Sequence, residues 1–301
     1  MRHLLILATP IVLCAAQIAG RLGRRADGEG DTLVDASGAH LGPIGSLAAL
    51  VQYRELIRNL VFKDLKLKYR GSVFGFLWSL LNPMVMMTVY LVVFKYIMKI
   101  RGSGFVFLLL LGILAWTFFS SSASMGAGAI ADNGGLLKTV HFPRAVLPIS
   151  SVLFNLAQYL LTILVFLPFM LLVYRVPPHP ALLLFPVVIL LQLAMTIGVA
   201  LALAAGVAFF RDIRHLLEIA LMVMFWTTPI IYDYETIPVA WRKVVLFSPM
   251  SPFVLAYQQI GYYGRVPDLD VCIIAVVYAV VAFCAGFALF TRLQHEFVEQ
   301  I

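Results

Sequence analysis

Side chains able to do acid, base, nucleophilic or metal chemistry are scarce in this chain, and they do not converge. Asp132, Asp212, Glu218, Asp233 and Glu235 fall at or near the ends of apolar runs, while His141, His179 and His215 lie in separate connections with no carboxylate grouping around them. General acid–base and nucleophilic catalysis need such groups within hydrogen-bond reach of one another, so a membrane-embedded glycosyltransferase or acyltransferase is disfavoured. A proton- or sodium-driven carrier is disfavoured too, because coupling to an ion needs ionisable groups at mid-depth. Cys14, Cys272 and Cys284 sit inside apolar runs, with neither metal-like nor disulfide spacing, and read as small packing residues. Asn133, Gly134, Gly135, Lys138 and Thr139 have the composition of a phosphate loop. The G-x-x-x-x-G-K-[ST] spacing is missing and no strand precedes it, so neither a nucleotide site nor a metal site is expected here.

The elements that would have to position a site explain this scarcity. Of 301 residues, 62% are hydrophobic and 12% charged, with a mean hydropathy of +0.95, which leaves too little polar surface to enclose one water-soluble core. In lipid only helices and closed barrels satisfy their backbone groups. The apolar stretches are continuous runs near the ~20 residues a helix needs, without the alternation of barrel strands. The sequence therefore predicts an all-α polytopic membrane protein with six transmembrane helices, over Val73–Met98, Phe105–Ile130, Ala145–Tyr174, Ala181–Phe210, Leu216–Tyr232 and Val271–Thr291. Polar residues inside these runs are mostly uncharged: Asn82 with Pro83, then Ser120, Ser121, Ser122 and Ser124 with Gly126 and Gly128, then Asn155 and Gln158. Small and uncharged polar residues suit close helix packing in a bilayer. Between the fifth and sixth runs, Val244–Tyr263 is apolar, but Pro249 and Pro252 forbid one uninterrupted helix. A re-entrant pair of short external helices that caps or lines a path is expected there, since irregular backbone at membrane depth must be buried in protein or face a wet cavity.

Ahead of the first run, Tyr53–Arg70 has helical amphipathicity. Leu56, Ile57, Leu60, Val61, Leu65 and Leu67 share one half of the wheel, and Glu55, Arg58, Asn59, Lys63, Lys66 and Arg70 the other. Phe62, Asp64 and Lys68 break the pattern. A basic amphipathic helix beside a span fits one lying in the cytoplasmic head-group plane, as a membrane anchor or as a docking element. From Tyr53 onward, connections on this helix's side carry eleven Lys and Arg and the opposite side seven, which sets this side and the C-terminus as cytoplasmic. The net charge of +7 follows run ends and head groups, with no aromatic-interleaved patch for nucleic acid. Residues 1–52 stand apart: an apolar run Leu4–Ala19, then Arg21, Arg24 and Arg25, then a Gly- and Asp-bearing linker. They fit a weak extra span, an uncleaved interfacial segment, or a start codon placed too far upstream.

The order of five separated motifs resembles the permease subunit of ABC type-2 transporters, in the branch that exports O-antigen, teichoic acid, capsule and related polysaccharides. The motifs are Leu65–Pro83 (LKLKYRGSVFGFLWSLLNP), Leu137–Ser150 (LKTVHFPRAVLPIS), Phe209–Ile219 (FFRDIRHLLEI), Pro229–Tyr232 (PIIY) and Ser248–Gln258 (SPMSPFVLAYQ). The resemblance covers residues 53–301, and residues 1–52 depart from a family whose members usually begin near the amphipathic helix.

The resemblance implies that two copies of the chain pair and bind two copies of a cytoplasmic ATPase subunit. That subunit would hold ATP and magnesium, and this chain would hold no cofactor. A lipid-linked polysaccharide would pass between the two permease copies in the inner (plasma) membrane. Leu136, Leu137, Lys138, His141, Phe142, Pro143 and Arg144 would form the coupling helix. Arg58, Lys63, Lys66 and Arg70 would mark the interface helix, and Pro249 and Pro252 the external gate. Trp78, Tyr90, Phe94, Trp116, Phe119, Trp226, Tyr232 and Tyr257 could line the path, because aromatic faces stack on pyranose rings. Alternatives are a drug or lipid permease of the same architecture, a membrane enzyme of polysaccharide assembly, and a passive channel.

Overall fold

A computed structural model of the chain describes residues 33–34, 40–41, 52–72, 77–97, 104–139, 142–173 and 179–294. The Leu4–Ala19 run, the Arg21, Arg24 and Arg25 cluster and His141 lie outside the described residues. The chain divides into two units, Met1–Ala48 and Ala49–Ile301. In the first, β1 (Leu33–Val34) and β2 (His40–Leu41) form a two-rung antiparallel pair, with Leu33 opposite Leu41 and Val34 opposite His40. This pair departs from an all-α chain. Among the described residues, the regular elements of the second unit are all helices.

The second unit opens with α1 (Arg54–Tyr69), which buries Leu60 and leaves Arg58, Lys63 and Lys66 exposed. α2 (Leu77–Tyr90) runs straight into a π-helical segment, Leu91–Ile97. α3 (Phe105–Gly128) is apolar on every side and buried from Val106 to Gly112, so it forms the centre, against which α5, α6, α7 and α9 pack. A 3₁₀ turn, Ala131–Asn133, leads into the six-residue α4 (Gly134–Thr139). The turn at Phe142–Ala145 then starts α5 (Val146–Val173), with Val146 N–H donating to Pro143 O at 3.0 Å.

A second 3₁₀ turn, Pro180–Leu184, precedes α6 (Phe185–Phe209). α7 (Ile213–Thr227), α8 (Val239–Leu246), α9 (Ser251–Gly261) and α10 (Leu269–Leu293) complete the unit. The most extensive pairing is α6 with α10. Glycine decides it: a Cβ on Gly198 would collide with the backbone of Ala282 and Phe283, and one on Gly286 with the backbone of Gly198. The two helices cross in direct main-chain contact, the small-residue packing that bilayers favour.

Among the described residues, four helical stretches are long and apolar enough to cross a membrane: Phe105–Gly128, Val146–Phe169, Pro180–Phe209 and Leu269–Leu293, with mean hydropathies of 2.0 to 2.7. Leu164, Leu183, Leu269 and Ile273 are among the large apolar side chains they leave exposed, an outer surface suited to lipid and costly in water. The fifth expected span is shorter than predicted. α7 has 15 residues, a rise of about 22 Å against a ~30 Å hydrocarbon core. Pro229 is the cause, because the residue before a proline is driven out of the helical region, and Thr228 is extended at ψ 135°. The first expected span, Val73–Met98, is described over Leu77–Ile97 as α-helix followed by π-helix.

Candidate functional site

At one end of the bundle the turn between α3 and α5 presents a short helix. Gly128 closes α3, and Asn133 Nδ2 donates to Ala129 O at 2.9 Å, satisfying one of the carbonyls a helix end leaves open. α4 begins at Gly134, two residues before the expected Leu136. Leu136 and Leu137 are half-buried. Neither the side chain of Lys138 nor any part of His141 is among the described residues. Phe142, Pro143 and Arg144 follow, each half-buried. Arg144 Nη1 is buried without an acceptor among the described residues, and burial lowers the guanidinium's pKa. An orphaned buried donor of this kind is costly unless something else fills it. Asp132, just before α4, pairs with Arg214 at the start of α7.

α1 lies along α5. Arg58, Lys63, Lys66 and Arg70 point outward, Arg58 toward Glu55 at 3.8 Å and Lys63 toward Asp64 at 3.7 Å. Lys68, which broke the amphipathic pattern, is the residue that docks the helix. Its Nζ donates to Gln158 Oε1 of α5 and lies 5.8 Å from the Phe154 ring and 5.9 Å from the Tyr69 ring. Partial burial lowers its pKa. A cleft of about 1040 Å³ beside it is lined by Phe62, Lys63, Lys66, Arg70 and Leu161, among others. Spacing flagged Lys68 as an anomaly but not its partner, since Gln158 reads from sequence as a packing residue.

The eight aromatics predicted for a path do not form one surface. Trp116 and Phe119 are buried in α3, 5.9 Å apart, and Trp116 meets Phe225 edge-on at 5.7 Å. Tyr257, at 0% exposure, is enclosed between Phe185 at 5.0 Å and Tyr159 at 6.3 Å. Trp78 on α2 and Trp226 on α7 are open, Trp226 at 65% exposure. Tyr90 at the end of α2 and Phe94 in the π-helical segment lie 6.2 Å apart with their rings tilted by 34°, and Tyr232 hydrogen-bonds back to Thr227 O at 3.0 Å.

The segment carrying Pro249 and Pro252 breaks into α8 and α9, with Pro252 in the first turn of α9, where its missing N–H costs nothing. Every residue of α9 is buried. Buried polar side chains hold it. Tyr257 O–H donates to Gln192 Oε1 at 2.8 Å, Gln192 Nε2 donates to Ala115 O at 2.9 Å, and Gln258 Nε2 donates to Pro229 O at 3.2 Å. Gln259 exchanges two hydrogen bonds with Asp268, and the hydroxyls of Thr228 and Ser248 lie 3.0 Å apart. Gln192 and Gln258 escaped the sequence reading; the signal was a glutamine inside an otherwise apolar run. Among the described residues, no three His, Cys, Asp or Glu side chains gather into a group that could hold a metal.

The sequence matches known proteins. The profile described as ABC-2 type transporter matches residues 55–262, from the first turn of α1 to the end of α9. The chain is 38% identical over 257 residues to the O-antigen export system permease protein RfbA of Myxococcus xanthus, covering 84% of this chain and 97% of that protein. It is 30% identical over 246 residues to a protein of the same name from Klebsiella pneumoniae, covering 81% and 94%. It is 24% identical over 205 residues to the polysialic acid transport protein KpsM of Escherichia coli, covering 64% and 76%. A central apolar helix ringed by apolar neighbours, a short helix at one bundle end and a proline-broken pair at the other occur here in a chain that matches such a profile over most of its length, and the chain therefore belongs to the ABC-2 type transporter family.

Proposed function

We propose that this chain is the permease subunit of an exporter of lipid-linked, O-antigen-like polysaccharide across the inner membrane. In the working complex two copies pair and bind two copies of a separate cytoplasmic ATPase subunit, which binds the ATP and magnesium. The observation that carries this reading is the likeness to a permease named for O-antigen export over 97% of that protein's length. Physical need agrees with it: a hydrated sugar chain cannot cross ~30 Å of hydrocarbon unaided, and the sequence offers neither ion-coupling groups nor a nucleotide site.

In this reading α2 with its π-helical extension and α7 with the following turn complete six spans, the C-terminus is cytoplasmic, and α8 and α9 re-enter from the outside as the external gate. α4 with Phe142–Arg144 is the contact for the ATPase, and the unfilled Arg144 donor is suited to an acidic side chain of that partner. α1, with Arg58, Lys63, Lys66 and Arg70, lies among head groups at the cytoplasmic face. Of the eight aromatics, Trp78, Tyr90, Phe94, Trp226 and Tyr232 retain accessible surface and are assigned to the path. Trp116, Phe119 and Tyr257 support it from behind.

The test is genetic and biochemical together. Deletion of the gene should abolish surface polysaccharide and accumulate the lipid-linked polymer inside the cell, and the tagged chain should co-purify with an ATPase subunit. Normal surface polysaccharide in the deletion strain, or a chain that never co-purifies with an ATPase, refutes the assignment.

A further inference from the structure

One charge pair ties two separate connections at the α4 end of the bundle. Arg214, in the first turn of α7, holds Nη2 2.6 Å from Oδ1 of Asp132, in the turn just before α4. Gly128 makes the room: a Cβ there would press against the Asp132 carboxylate and stand 3.0 Å from Arg214 Nη2. The Asp132 turn also packs on α6, and Ile213 closes against Gly206, where a Cβ would lie 2.9 Å from Ile213 Cδ1. The ends of α3 and α6, the turn before α4 and the start of α7 thus meet at one place.

α7 is able to respond, because none of its residues is buried. Its far end runs into Thr228, whose hydroxyl meets Ser248 at the break between α8 and α9, and its Phe225 ring abuts Trp116. We propose that Asp132 and Arg214 are positioning residues that carry a displacement of α4 into α7, and so toward the α8–α9 break. The proposal rests on the reading of α4 as the ATPase contact. The side chains of both residues remain substantially exposed, at 61% and 40%, and exposed pairs contribute little to stability. Neutralising them should therefore leave the fold intact while loosening the transmission.

The experiment compares Asp132→Asn, Arg214→Gln and the charge exchange Asp132→Arg with Arg214→Asp, each co-expressed with the ATPase. It reads co-purification, ATP hydrolysis by the complex and surface polysaccharide. Expected are about tenfold less polysaccharide exported per ATP hydrolysed in each single variant, the scale of a typical coupling between sites, with unchanged co-purification and recovery of at least half in the exchange. Export per ATP equal to the parent's in both single variants, or an exchange no better than either, overturns the proposal and leaves the permease assignment standing. A parent chain that binds no ATPase overturns both, and the co-purification arm identifies that case by itself.

Discussion

Replacing Gln192 by leucine removes the buried side chain that joins α6 to α3 and α9. Its amide bonds Ala115 O at 2.9 Å and accepts from Tyr257 at 2.8 Å, with both side chains at 0% exposure. The carbonyl of Ala115 lies inside α3, so its main cost is one lost bond, whereas Tyr257 O–H loses its acceptor in an apolar core. An unsatisfied buried donor costs about 1–3 kcal/mol, and side-chain hydrogen bonds in bilayers average about 0.6 kcal/mol. Gln192→Leu should thus destabilise by about 2 kcal/mol, or roughly 4–8 °C at 2–4 °C per kcal/mol for a unit of this size. Tyr257→Phe leaves Gln192 Oε1 as a buried acceptor without its donor and should cost about 1 kcal/mol, the low end of that range. The double variant should cost no more than Gln192→Leu alone, a coupling of about 1 kcal/mol. Thermal unfolding of the detergent-purified protein in all four forms measures this. Strictly additive shifts would refute the claim that the two side chains act as one fastening for α9.

Gly286→Ala forces a methyl into the main chain of Gly198 and should destabilise by about 1–3 kcal/mol, seen as a lower melting temperature in detergent; an unchanged melt would mean that α6 and α10 do not touch there. Burial lowers the pKa of Lys68 below the ordinary lysine value of 10.5, so between the folded and unfolded values the unfolded state binds more protons. The docking of α1 on α5 should therefore tighten as the pH rises toward 10.5, with less motion of a spin label at Phe62, and Lys68→Met should abolish the trend. Arg144→Ala should weaken ATPase binding at least about tenfold in a titrated pull-down, if its buried donor meets an acidic partner.

Local physics made much of the architecture readable. α1 was expected over Tyr53–Arg70 and is Arg54–Tyr69, because its period places leucines on one face and basic residues on the other. Helices α3, α5, α6 and α10 begin and end close to their apolar runs, since a run of apolar residues in this setting has few other options. α7 was overextended, because hydropathy continues through Pro229–Tyr232 while the backbone cannot. What spacing could not reveal were contacts between residues far apart in sequence: Lys68 with Gln158, Gln192 with Tyr257, and Asp132 with Arg214. Each joins polar residues whose separate settings look ordinary, and only the fold supplies the partner. Burial of Tyr257 and Phe119 was likewise hidden, since an aromatic in an apolar run reads the same whether it faces a path, lipid or a neighbouring helix.

In the proposed function this chain provides the passage and a bound cytoplasmic subunit provides the energy. Reconstitution of the purified chain into vesicles, with and without its ATPase, measures both ATP hydrolysis and movement of a lipid-linked glycan. ATP-dependent movement should require both subunits, and the chain alone should hydrolyse nothing. ATP hydrolysis or concentrative movement by the chain alone, free of any ATPase, would contradict it.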